Sequence, residues 1–253
     1  ATNTNTANVW VAWIAAPVRV PITQAMAGFA PDTPQTRVKC PAAATSPALA
    51  GSCTGYAQGG ARITNPAGVN NPNGTGLIGA NPTVITLPVV SQVANHIAQF
   101  GGFGGGDIVF IWAGANDGLL NFQAAGTGQI TPAAAVANVQ TAATELVALV
   151  KDQIAANGAT RIAVLNFPDP LLLPFGAAQS AGGQALLRQI LSAWNDALTS
   201  GLAGTPATEQ RGGTITVNFY DDQGRAIDHR WIEEQANRHN ISLRTGCFCN
   251  PGA

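Results

Sequence analysis

The chain has 253 residues, a formal net charge of −1 and only 10% charged residues. That length suits one large core, or one domain with an appendage, and so low a charge argues against nucleic acid or an anionic membrane as partner. No run approaches the roughly 20 apolar residues of a membrane span.

The first residues, Ala1-Thr2-Asn3-Thr4, have neither a basic n-region nor an apolar h-region. No signal peptide is therefore expected within the chain, although one could have been removed already. Residues 7–16 read as a short helix with Val9, Trp13 and Ala16 on one side. From Pro17 to Pro82 the chain is rich in Pro, Gly, Asn and Thr, and so long an irregular stretch usually forms a functional surface. Within it Cys40 and Cys53 flank a Pro-, Ala- and Ser-rich loop that could close as a disulfide, implying an oxidising compartment.

Regularity returns with Val89, Val93, Ile97 and Phe100 at helical spacing. The glycines from Gly101 to Gly106 then turn the chain into residues 107–112, Asp-Ile-Val-Phe-Ile-Trp. That β-branched and aromatic run reads as a fully buried strand of a parallel sheet. Open α/β sheets bind ligands just beyond the carboxyl ends of their strands, where Asn116 and Asp117 fall. An Asn amide there can donate to an oxyanion; equally, Asn116-Asp117-Gly118 has the composition of a simple turn.

Thr131-Pro132 is an N-cap followed by proline at the first helical position. Val136, Val139, Ala143, Leu146, Val150 and Ile154 form one apolar stripe, which Asn157-Gly158 ends. Residues 161–166 are the next buried strand, and residues 166–170 the loop at its carboxyl end. Leu186, Leu187, Ile190, Leu191, Trp194 and Leu198 mark another amphipathic helix, and residues 214–220 alternate like a strand. Strands and helices alternating at these lengths indicate a doubly wound α/β layer structure.

Three blocks bring a family resemblance. Tyr56-Ala57-Gln58-Gly59-Gly60-Ala61-Arg62, then Gly114-Ala115-Asn116-Asp117, then Asn166-Phe167-Pro168-Asp169 with the Trp194-Asn195 helix, occur in the order found in SGNH/GDSL ester hydrolases. Residues 1 to about 205 resemble that family, especially its secreted bacterial, autotransporter-esterase-like branch. The resemblance implies a flavodoxin-like parallel sheet with helices on both faces, and acyl transfer on a small-molecule or lipid ester. It implies an oxyanion hole built from the Gly60 N–H and the Asn116 amide, no cofactor, and a secreted, periplasmic or cell-surface location. A plain tight turn is the alternative for Gly60, and Asp117 is expected to hold its own turn rather than to meet substrate.

The family's nucleophile and base blocks are missing. No Gly-Asp-Ser occurs, and Ser46, Ser52, Ser91, Ser180, Ser192, Ser200 and Ser242 lack its context. The chain is expected to begin just after the strand that should carry the serine. The family's Asp-x-x-His is absent too, because Val93, Ala226 and Ala236 stand three places before His96, His229 and His239. All three histidines are expected on the surface. Nucleophile and base are thus unassigned, and the hydrolase is expected to be incomplete or inactive as this chain.

From about Arg211 the resemblance changes. Arg244-Thr245-Gly246-Cys247-Phe248-Cys249 looks like the Arg-Thr-Gly-x-x-Cys segment of class V aminotransferase-like enzymes related to cysteine desulfurases, with Cys249 as the reactive cysteine. Pyridoxal chemistry needs a Schiff-base lysine and a phosphate cradle, and neither Lys39 nor Lys151 has a suitable context. Cys247 and Cys249 are too close in sequence for an easy mutual bridge. The expected organisation is a hydrolase-like domain over 1–207 and a tail over 208–253, whose residues 214–220 supply the sheet's last strand. The readings in competition are an ester hydrolase, a non-catalytic scaffold or fusion fragment, and a thiol or sulfur-transfer protein using Cys249.

Overall fold

The computed structural model describes residues 22–23, 25–27, 38–66 and 87–203. The chain divides into two units, Ala1–Gly213 and Thr214–Ala253, and every described residue belongs to the first. The helix expected over 7–16, the strand expected over 214–220, and His229, His239, Ser242, Cys247 and Cys249 lie outside the described residues.

The first described elements are two short antiparallel strands, β1 (Met26–Ala27) and β2 (Val38–Lys39), with Met26 opposite Lys39. Helix α1 (Pro41–Thr45) and a 3-10 turn (Pro47–Ser52) follow. Cys40 and Cys53 are joined as a disulfide with their Cα atoms 5.3 Å apart, and both are buried. Thr23 ties the disulfide loop down through its N–H to Ser52 O (2.7 Å) and its hydroxyl to Cys53 Sγ (3.2 Å).

Helix α2 (Val89–Phe100) ends at Gly101, where φ is 77° and the Gly101 N–H returns to Ile97 O. Strand β3 (Val109–Ile111) pairs in parallel with β4 (Ile162–Val164), Val109 lying opposite Ile162 and Ile111 opposite Val164. A parallel pair needs a long crossover, and two helices supply it: α3 (Ala115–Gly126) and α4 (Pro132–Leu149). The chain is therefore α/β, predominantly helical, with a two-stranded parallel sheet among the described residues.

The N-cap of α4 is built as its sequence implies: the Thr131 side chain accepts from Ala134 N–H, and Pro132 stands in the first turn. Val139, Ala143, Leu146, Val150 and Ile154 are all buried, while Val136 is only partly so. Past Leu149 the helix widens into a π turn, Val150–Ala155. Together, Pro132–Ala155 is 24 residues and contains an 18-residue stretch with a mean hydropathy of 1.4, so by length and composition it could cross a membrane. That qualifies the expectation that no run has this character. Here the apolar stripe is taken up by neighbouring helices, since α4 packs on α3 and, past the short α5 (Pro174–Ala177) in the chain, on α6 (Ala181–Leu202). From α6 come Leu187, Ile190, Trp194 and Leu198, at most 3% exposed.

The strand expected over 107–112 is shorter and less buried than its composition suggests. Ile108 is 57% and Trp112 40% exposed, and within β3 Ile111 alone is buried. The second strand, expected over 161–166, contracts likewise to Ile162–Val164. A continuous apolar run marks a strand's position, but its burial depends on what covers each end. Residues 108 and 112 both lie beyond the paired register.

Candidate functional site

Three segments meet at the carboxyl ends of β3 and β4. The segment after β3 turns sharply at Gly114, whose φ of 103° is one that L side chains rarely adopt. A Cβ there would overlap the six-membered ring of Trp194. Gly114 thus lets the start of α3 lie directly against the buried indole of α6.

The first turn of α3 presents Asn116 and Asp117 to the glycine block. Asn116 Nδ2 donates to Ala61 O at 2.7 Å. Gly60, with φ 88°, immediately precedes that residue. The structure therefore brings the Gly60 loop and the Asn116 side chain together, with an Asn116 donor directed at a main-chain carbonyl. Asp117, only 2% exposed, accepts from Arg62 Nε at 2.8 Å and from Ile63 N–H at 3.1 Å. Expected to hold its own turn, Asp117 instead reaches across to a segment 55 positions earlier. Burial pushes its carboxyl above the ordinary 3.8, and the Arg62 hydrogen bond and charge and the Ile63 N–H pull it back less strongly.

The arrangement continues in both directions. Arg62 O and Ile63 O accept from Val89 and Val90 N–H, so the glycine block also ties down the first turn of α2. Asn121 Nδ2 donates to Asp117 O and Asn138 Nδ2 to Asn121 Oδ1, each at 2.9 Å, linking α3 to α4. After β4, Asn195 brackets Phe167. Its Oδ1 accepts from Phe167 N–H (3.1 Å) and its Nδ2 donates to Phe167 O (2.9 Å). Hydrogen bonds of this kind, anchored on the buried Asp117 and Asn121, fix one arrangement of the segments they join.

Several described serines likewise serve local structure. Ser52 donates to Leu49 O, Ser180 caps α6 by accepting from Gly183 N–H, Ser192 bonds to Asp196, and Ser200 donates to Asp196 O. His96 corrects the surface expectation. Its ring stacks on Phe103 (centroids 4.5 Å apart) and meets Phe100 and the edge of Tyr56. Sequence reading missed the Arg62–Asp117 pair and this aromatic cluster. The only hint of the first is a basic residue directly after a glycine block, and no pattern joins Tyr56 to His96.

No family model matches the chain, and no solved structure does. Curated proteins match over a short piece. Molybdenum cofactor sulfurase of Bos taurus is 44% identical over 45 residues, covering 18% of this chain and 5% of its own length. The Homo sapiens protein of that name is 47% identical over 45 residues, again 18% of this chain and 5% of the relative. That of Oryza sativa subsp. japonica is 50% identical over 42 residues, 17% and 5%. The chain spans about 5% of the length of these relatives.

The relatives found are sulfurases, and they overturn the ester-hydrolase resemblance together with the esterase or lipase activity and the small-molecule or lipid ester substrate drawn from it. The residues that carried the resemblance have structural duties. Gly114 makes room for Trp194, Asn116 holds Ala61, and Asp117 holds Arg62 and Ile63. The resemblance to cysteine-desulfurase-like enzymes, stated for the tail, overlaps in part with these matches.

The pyridoxal cofactor implied by that second resemblance is not accommodated by the described residues. A Schiff-base lysine needs a sheltered, desolvated amine. Lys151, the lysine whose side chain is among those described, is exposed on the π turn. No reaction step is assigned to that group.

Proposed function

We propose that the chain is a sulfur-transfer protein whose reactive group is the Cys249 thiol, with the α/β unit serving as its scaffold. The observation that carries the reading is the 44–50% identity to three molybdenum cofactor sulfurases over 42–45 residues. Cys249 ends an Arg-Thr-Gly-x-x-Cys segment. A thiolate is the competent nucleophile, so the proposal requires a Cys249 thiol with a lowered pKa.

The step requires a donor with a sulfane sulfur, that is, a low-molecular-weight persulfide. The Cys249 thiolate attacks the terminal sulfur of R–S–SH. The donor's S–S bond breaks, R–S⁻ leaves with the bonding pair, and a Cys249–S–SH persulfide forms. A thiol acceptor then takes the terminal sulfur by the same exchange and returns the Cys249 thiolate. In the scaffold, the fully buried Cys53 keeps the disulfide with Cys40 away from solvent and so from these small thiols.

The finer architecture belongs to the same proposal: β3 and β4 lie within a larger doubly wound, flavodoxin-like sheet. Their parallel pairing across a helical crossover supports it. The disulfide supports an oxidising, secreted or periplasmic location.

The test is mass spectrometry of the full chain after incubation with a small persulfide and removal of excess donor. The expected result is one added sulfur atom on Cys249, transferable to a free thiol, lost in Cys249→Ser and kept in Cys247→Ser. Equal labelling of wild type and Cys249→Ser would reject the proposal.

A further inference from the structure

His96 sits at an unusual junction. It lies near the end of α2, just before a glycine-rich segment that doubles back at Gly101 and Gly102, with φ of 77° and 134°. The segment then runs into β3. Phe103 N–H bonds to Asn157 O (2.9 Å), Gly104 N–H to the Asp107 carboxylate (2.6 Å), and Arg161 Nη1 to Gly105 O (2.7 Å). On the α2 side the segment is held by the His96 ring, which stacks on Phe103 at an interplanar angle of 20° and bonds to the Gly102 backbone.

The imidazole is held in a form suited to its neutral state. Nε2 is buried without a hydrogen-bond partner, and so is the hydroxyl of Tyr56, whose ring lies 5.5 Å from that of His96. Protonation would turn Nε2 into a second, buried donor among aromatic rings, a costly state unless an acceptor is found.

The surrounding charges are few. Helix α2 carries no charged residue besides His96 itself. The segment contributes Asp107, whose carboxylate favours the imidazolium. The π turn packed against α2 contributes exposed Lys151 and Asp152. Arg161, beside Gly105, is a further cation, and burial pushes the Tyr56 hydroxyl up to about 12, which keeps it neutral throughout the relevant range.

We propose that His96 is a pH-operated clasp, closing the segment 101–107 onto α2 when its imidazole is neutral and releasing that segment on mild acidification. Burial pulls the imidazole below its ordinary 6.5, with Asp107 and the Gly102 bond opposing. The direction of the switch follows. The closed form excludes the proton, so the closed population is complete above about 6.5 and declines as pH falls toward the lowered value. A segment hinged on two left-handed glycines and leading into β3 can open without unfolding the helix before it.

Amide hydrogen exchange of the full chain tests this, using protection factors so that the intrinsic pH dependence cancels. Between pH of about 7.5 and about 5, protection of Phe103 N–H should fall. Leu165 N–H, bonded to Ile111 O within the sheet, should hold steady. His96→Gln should make Phe103 protection independent of pH, and Asp107→Asn should move the midpoint to lower pH. Constant protection at Phe103, a parallel loss at Leu165, or a pH dependence that survives in His96→Gln would each overturn the clasp.

Discussion

Replacing Arg62 by Met tests how the glycine block is held. The change keeps much of the aliphatic stem while removing the cation 2.8 Å from Asp117 Oδ1. What remains is a carboxylate with a side chain only 3% exposed and the Ile63 N–H as its hydrogen-bond donor. Breaking a buried pair by deleting one partner costs about 3–5 kcal/mol. Because the Arg62 side chain is 21% exposed, water screens the pair, and we expect the lower end, about 3 kcal/mol. In an Asp117→Asn background no buried charge is stranded, so the same substitution should cost about 1 kcal/mol, the value of an ordinary hydrogen bond. The coupling is then about 2 kcal/mol, read from urea unfolding at neutral pH by tryptophan fluorescence.

The pH dependence has a definite sign. Asp117 already titrates above its ordinary 3.8 in the folded chain, so the folded state binds more protons than the unfolded one between those two values. Its contribution therefore worsens as pH rises through that window. Arg62→Met extends the window upward, making the deficit largest near neutrality and smaller on acidification toward 3.8. Equal costs in the two backgrounds, or a deficit that grows on acidification, would refute this account of the pair.

Two other substitutions probe the frame. Gly114→Ala combines a left-handed backbone with a collision against Trp194; strain and overpacking together should lower stability by about 2–5 kcal/mol in the same urea assay. Paired Cys40→Ser and Cys53→Ser changes open a loop of sequence separation 13 and should cost about 3 kcal/mol by loop entropy, seen as a lower thermal midpoint that reductant no longer shifts.

Local chemistry was legible in the sequence and long-range pairing was not. Thr131-Pro132 announces the start of α4 because capping involves adjacent residues, and the Val139-to-Ile154 stripe announces its buried side because helical period is a local property. The positions of β3 and β4 were visible from their apolar runs. Their lengths were not, since coverage of Ile108 and Trp112 depends on other segments. At the candidate site, Gly60 and Asn116 were singled out and do lie in adjoining segments. Their residue types, however, fit a turn, a staple or an anion-binding pocket equally well. Gly-Ala-Asn-Asp after a strand led to the hydrolase family, whereas here its glycine admits an indole and its Asp pairs with Arg62. His96 was misplaced for the same reason: Tyr56 and Phe103 reach it from separate segments.

Asn195 has a consequence for how this chain could vary. By meeting both the N–H and the carbonyl of Phe167, one side-chain amide imitates a neighbouring strand for one residue beyond β4. Such mimicry depends on the number of residues between β4 and Phe167. One inserted residue would displace the Phe167 main chain by about 3.3 Å and uncouple both bonds at once. Spacing, more than residue identity, is what helix α6 reads in that loop.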